Sequence, residues 1–246
     1  MIRFVVAAFL ASIGCADAAE IRVLSGNGAR AAVRAIVNEF ERETGHKVAL
    51  HFEVNAALER KIVAGEEFDA VVLNPAVIER LTQAGKLVAG SRANIGKAGL
   101  GVGIRNGVSP PPISTLAGFR AALLAAKSVA YPAQGASGVY FVTVLEKLGI
   151  AAEMKDKLKP MPAEDTVEVV ARGEADLVVV VSSRIAEVEG VTLAGPIPPE
   201  VQTRIGFAAA VSNAAKEPDA ARAFVTFAGA PQRAALLRRY GVEPSR

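Results

Sequence analysis

Apolar positions along the chain recur at two alternating spacings. Ile21 to Ser25 is a short apolar run, Ala29 to Thr44 sets Val33, Ile36, Val37 and Phe40 on one helical face, and His46 to Glu53 alternates with a period of two. Gly45 ends the helix between the two strands. Ala56 to Ala64 suits another helix, stopped by Gly65, and Phe68 to Leu73 suits an apolar strand. The alternation continues to the end of the chain and predicts an α/β fold with largely parallel sheets covered on both faces.

Two internal echoes set the number of such units. Arg60 to Asn74 reads RKIVAGEEFDAVVLN and Val169 to Val181 reads VVARGEADLVVVV: a helix end, a glycine, acidic residues, then a buried strand. Likewise, VLSGNGARAAVRAIV from Val23 is matched by VAYPAQGASGVYFVTVL from Val129. Each half thus owns a strand, a small-residue loop and a helix start, which predicts two similar lobes with those loops at the carboxyl ends of the strands.

Two strands without flanking amphipathic helices, Leu100 to Arg105 and Arg204 to Val211, suit crossings between the lobes. The expected division is lobe 1 over 19–100 and 206–246, with lobe 2 inserted as 101–205. The helices Asp219 to Phe227 and Pro231 to Tyr240 then return to lobe 1. Two crossings make a hinge.

Composition narrows the setting. Met1 to Arg3 followed by the apolar stretch Phe4 to Gly14 and the small residues Ala16-Asp17-Ala18 read as a signal peptide over 1–18, which places the mature protein in the periplasm. The single cysteine, Cys15, falls within it, so no disulfide is expected. A lipid anchor at Cys15 is the lesser alternative, because Ser12 stands where a lipobox has an aliphatic residue. A formal net charge of +3 is too mild and dispersed for nucleic acid or an anionic membrane surface.

The candidate chemistry lies in the loops. Ser25-Gly26-Asn27-Gly28 and Gln134-Gly135-Ala136-Ser137-Gly138 each sit where a strand ends and a helix begins, so backbone N–H groups and the helix dipole favour an anion. Asn55-Ala56, Asn74, Asp165-Thr166 and Ser182-Ser183 occupy equivalent places, although each type also serves as an ordinary N-cap. Arg30 stands in the first turn of its helix, where its charge opposes the dipole unless something negative is near. Tyr140 lies on the second loop's helix, and Arg204 at the second crossing is a weaker candidate for a carboxylate.

Other chemistry finds less support. His46 and His51 are the only histidines, His51 lies within a strand, and neither H-E-x-x-H nor G-x-S-x-G occurs, so no metal, cofactor or catalytic residue is expected. Gly26 to Ala31 does fit a permissive G-x-G-x-x-A dinucleotide fingerprint, with Glu53 as the ribose-binding acid, but an exported protein meets little nicotinamide cofactor.

The segments IRVLSGNGARAAV, ERKIVAGEEFDAVVLNPAVIERLTQAGKLV, AYPAQGASGVYFVTVLEKLG and VEVVARGEADLVVVVSS resemble the periplasmic molybdate-binding proteins, within the wider class of type II solute-binding proteins of ABC importers. The resemblance implies two α/β lobes joined by two crossings, an oxyanion held between them by neutral hydrogen bonds, and delivery by a monomer to an inner-membrane ABC permease. Carried over by position, the contacts are Ser25 with Asn27 close by, then Asn55-Ala56, the loop Gly135-Ala136-Ser137-Gly138, and the segment Asp165-Thr166-Val167. The family's usual serine pair is replaced at Asn55-Ala56, and its usual tyrosine at Val181-Ser182. Molybdate or tungstate is the first expectation for the ligand. The alternative is binding or isomerisation of a small di- or tricarboxylate, as in an aconitate isomerase resembling this fold, with Arg30, Arg204 or Tyr140 facing the cleft.

Overall fold

The protein is described here by a computed structural model over residues 18–245. The signal-peptide reading of 1–18 and Cys15 lie outside the described residues, apart from Ala18. From the amino end the elements are β1 (Glu20–Gly26), α1 (Arg30–Thr44), β2 (Lys47–Glu53), α2 (Asn55–Val63), β3 (Ala70–Leu73), α3 (Pro75–Gln83) and β4 (Ala93–Arg105). There follow α4 (Leu116–Ala125), β5 (Val129–Pro132), α5 (Ala136–Lys147), α6 (Ala151–Met154), β6 (Leu158–Met161), α7 (Glu168–Ala171), β7 (Leu177–Val181) and α8 (Ser182–Ile185). The chain closes with β8 (Val191–Pro196), β9 (Arg204–Val211), α9 (Pro218–Gly229), α10 (Ala234–Arg239) and β10 (Glu243–Pro244).

The strands pair in the order β2-β1-β3-β9-β4-β7-β5-β6, with β8 and β10 also joined to β4. This order is nearly palindromic. The trio β2-β1-β3 is parallel throughout, and so is its counterpart β6-β5-β7. The central strands break that rule: β9 runs antiparallel to β3 and β4, and β4 runs antiparallel to β7 and β8. The expected largely parallel sheets therefore hold only within each outer trio, because a chain that crosses between lobes and returns must reverse direction at the centre.

The sequence echoes have a structural cause. Gly65 and Gly173 follow the ends of α2 and α7 at φ of 103° and 77°, a region an L side chain enters only with strain. Four and three residues on, an aspartate holds the neighbouring strand: Asp69 Oδ2 accepts from Arg22 N at 2.7 Å, and Asp176 Oδ2 accepts from Lys127 N at 2.7 Å. In both lobes the same device sets a buried strand beside its partner.

β4 makes the first crossing. Ala93 to Gly99 pair with β9, whereas Leu100 to Ile104 pair with β7. The strand thus begins at Ala93, ahead of the run Leu100 to Arg105 read from the sequence. Gln202, just before β9, ties the crossings together: its Oε1 accepts from Leu100 N at 2.7 Å and its Nε2 donates to Leu100 O at 2.9 Å. A Cβ on Gly99 would lie within 3.1 Å of the same side chain.

α9 packs its Phe224 edge-on to Phe40 of α1, ring centroids 5.4 Å apart, which returns the carboxyl end to the first lobe. No helix among the described residues is long and apolar enough to cross a membrane.

Candidate functional site

Between the two trios lies a cleft of about 440 Å³. The first lobe contributes Asn27 and Gly28 after β1, Val54 to Ala56 after β2, and Asn74 after β3. The second contributes Pro132 and Gln134 to Ser137 after β5, and Val180 and Val181 at the end of β7. These are carboxyl ends of parallel strands, where chain reversal into a helix leaves backbone N–H groups pointing outward. α2, α3 and α5 have Val54, Asn74 and Gly135 as their N-caps, and none of the three receives a capping bond from its N-cap side chain.

The floor is tightly fitted. Asn55 Oδ1 accepts from Asn74 N at 3.1 Å and its Nδ2 donates to Asn74 Oδ1 at 3.3 Å, joining the ends of β2 and β3. Gly26 lies beneath this pair, where a Cβ would come within 2.9 Å of Asn55. Gly28 carries its own constraint: a Cβ there would meet Phe207 at 2.9 Å, and its carbonyl accepts from Ser183 Oγ at 2.6 Å.

Several candidates read from the sequence line this cleft: Asn27, Gly28, Asn55, Ala56, Gly135, Ser137 and Tyr140. Others do not. Ser25 is fully buried and its hydroxyl donates to the Gly26 carbonyl at 3.2 Å. Thr166 is likewise buried, with its hydroxyl donating to Pro162 O at 2.7 Å. Gly138 packs under the loop, its missing Cβ replaced by the Pro132 carbonyl oxygen, which would lie only 1.7 Å away. Ser182 starts α8 beside the cleft without forming its wall, and Arg204 is exposed and paired with Glu243 at 2.7 Å. Arg30 faces an adjoining chamber instead.

Four polar wall residues escaped the sequence reading: Glu59, Arg80, Thr143 and Arg184. The first three lie one to two helical turns beyond a candidate start, four residues after Asn55, six after Asn74 and six after Ser137, so the signal was the stripe each helix start projects. Arg80 grips Glu59 in a two-pronged pair at 2.6 and 2.7 Å, which holds the Glu59 carboxyl below the usual carboxylate range against the opposing effect of burial. Arg184 follows the run Val178 to Ser183 with no periodic signal. Its side chain is 4% exposed, donates to Glu168 at 2.6 Å and Glu187 at 3.1 Å, and leaves Nε without a partner.

This is a two-lobed binding protein of the type II periplasmic fold, with its ligand cleft at the hinge. Residues 21–243 match the model of the bacterial extracellular solute-binding protein family, and the chain belongs to that family. Among curated relatives it is 28% identical to an aconitate isomerase of a Pseudomonas species over 230 residues, covering 91% of this chain and 87% of that protein. It is also 28% identical to the molybdate-binding protein ModA of Azotobacter vinelandii over 247 residues, covering 97% and 96%. The solved periplasmic molybdate-binding protein of Azotobacter vinelandii superposes with a TM-score of 0.78 at 18% identity, covering 92% of this chain and all of that one.

Proposed function

We propose that this chain is a periplasmic solute-binding protein that closes its lobes on a small di- or tricarboxylate and delivers it to an inner-membrane ABC permease. The observation that carries the reading is the make-up of the cleft. Val54, Val77, Val139, Val180, Val181 and Ile205 form apolar wall between the donor-rich helix starts. A ligand with a carbon skeleton covers that wall, while its anionic groups take the unused N–H groups.

Two of the neutral donors expected for an oxyanion cage, the hydroxyls of Ser25 and Thr166, are committed to backbone carbonyls. Five hydrogen bonds to a carboxylate ligand, each contributing about 1.5–3 kcal/mol, outweigh a binding entropy cost of several kcal/mol.

The chemistry on offer is capture. Proton abstraction beside a carboxylate calls for a base poised near neutral pH, and Glu59 is displaced in the other direction by Arg80. A second reading, an oxyanion such as molybdate or tungstate, is favoured by the 28% identity to the molybdate-binding relative across nearly the whole chain.

Thermal unfolding with citrate, aconitate, succinate, molybdate, tungstate and sulfate separates them. The true ligand at a hundredfold excess over its Kd adds about 2.7 kcal/mol and raises Tm by about 5–10 °C. Stabilisation by molybdate or tungstate alone replaces the carboxylate reading, and stabilisation by none of the six removes both. Following aconitate interconversion by absorbance tests the resemblance to the isomerase.

A further inference from the structure

A second chamber of about 550 Å³ adjoins the cleft. The two share Asn27, Val54, Gln134 and Ala163, which form a waist between them. Beyond the waist the first lobe presents Arg30, Phe52 and Glu53, and the second presents Ala133 and the turn Pro160 to Glu164.

Arg30 is the unusual member. Its guanidinium lies over the Phe52 ring at 5.2 Å, and Arg34 lies over the same ring at 5.3 Å, so two cations share one aromatic platform. No side-chain N–H of Arg30 makes a hydrogen bond among the described residues, and its Nε is buried without a partner. Glu187 is the carboxylate nearest that nitrogen, at 3.9 Å, but Glu187 already accepts from Arg184 at 3.1 Å. The acids of the chamber do not supply the missing partner: Glu53 is engaged by Lys61 at 2.6 Å and approached by His51 at 3.4 Å, and Glu164 is an exposed residue of the far wall. Each cavity thus has one arginine in its wall with an unpartnered Nε, and Glu187 stands between the two arginines.

We propose that the adjoining chamber is a second anion subsite, in which Arg30 receives the far carboxylate of a ligand whose body occupies the main cleft. This rests on the carboxylate reading above and adds that the ligand spans the waist. Arg30 then determines specificity for polyvalent acids over monovalent ones, and the carboxylates of Glu53 and Glu164 discourage an anion from lodging there without that contact.

The test measures affinities of tricarballylate, glutarate and butyrate by calorimetry, with competition for weak binders. Three proteins are compared: the unsubstituted chain, Arg30→Gln, and Ala133→Phe, which narrows the chamber from an exposed position on the opposite lobe. The unsubstituted protein is expected to prefer tricarballylate and glutarate over butyrate by about ten- to a hundredfold. Both variants are expected to bring that preference close to one while leaving butyrate affinity unchanged. A preference that survives in both variants, or an equal loss for all three acids, overturns the subsite and leaves the cleft reading standing. An unsubstituted protein with no preference for polyvalent acids also overturns the subsite, and one that binds none of the acids removes the carboxylate reading with it.

Discussion

The start of α4 and the turn into α9, both away from the cleft, are held by side chains in a way that the starts of α2, α3 and α5 are not. α4, away from the cleft, is capped by Thr115, whose Oγ1 accepts from Gly118 N at 3.1 Å. The turn into α9 is held by Asp69, whose Oδ1 accepts from Lys216 N at 2.7 Å and Glu217 N at 3.1 Å. By contrast, α2, α3 and α5 open into the cleft with no cap from the N-cap side chain. Helix starts leave N–H groups without intrahelical partners. At α4 a side chain satisfies one of them, whereas at α2, α3 and α5 the N-cap side chain satisfies none and the groups face the cleft.

The largest expected effect breaks the geometry of a cleft start outright. Gly138→Ala drives a Cβ into the Pro132 carbonyl, so urea unfolding should show a loss of more than about 3 kcal/mol together with loss of ligand binding. Asp69→Ala removes the acceptor for three backbone N–H groups and should cost a similar amount, about 3 kcal/mol, while ligand affinity at low temperature stays within a fewfold.

Paired serine and threonine substitutions sharpen the comparison. Thr115→Ala should cost about 1 kcal/mol of stability and leave affinity unchanged. Ser137→Ala should do the reverse, because Ser137 is 5% exposed, lines the cleft and makes no side-chain hydrogen bond among the described residues. Its calorimetric affinity should fall about tenfold with unfolding nearly unaltered. If both variants change stability alone, the division between capped and ligand-reserved starts is wrong.

The smallest effect concerns pH. Because Arg80 lowers the Glu59 pKa, this pair's contribution to stability is complete above the unfolded carboxylate value of about 4.3 and fades as pH falls through the lower folded value. With Arg80 about half exposed, solvent screening keeps the contribution to fractions of a kcal/mol. In Arg80→Gln, a carboxyl-carbon NMR titration should show Glu59 returning toward its ordinary range.

Much of this molecule was legible in its residues. The α/β alternation follows from apolar spacing, and the two lobes follow from the glycine and aspartate repeated at Gly65 with Asp69 and at Gly173 with Asp176. Those residues carry their meaning locally, since a left-handed turn needs glycine and a strand entry needs an acceptor. The site was legible where it too was local: Asn27, Asn55, Gly135 and Ser137 sit at strand-to-helix turns that any parallel trio exposes. Thr166 and Ser25, of the same residue types, lie off the cleft wall with their hydroxyls on nearby carbonyls, which neighbours in sequence alone do not reveal.

The sequence by itself determined the elements, their grouping into two similar halves, and which loops carry spare N–H groups, all of which depend on neighbours within a turn or two. Only the tertiary structure decided the antiparallel centre, the opposition of the loops across the cleft, and the placing of Arg184, Arg80 and Arg30. Each of those depends on residues brought from distant stretches of chain: Arg80 meets Glu59 on another helix, Arg184 reaches the cleft from the far lobe, and Arg30 is turned by Phe52 into a separate chamber. Periodicity records which face of an element is buried, but not which other element covers it.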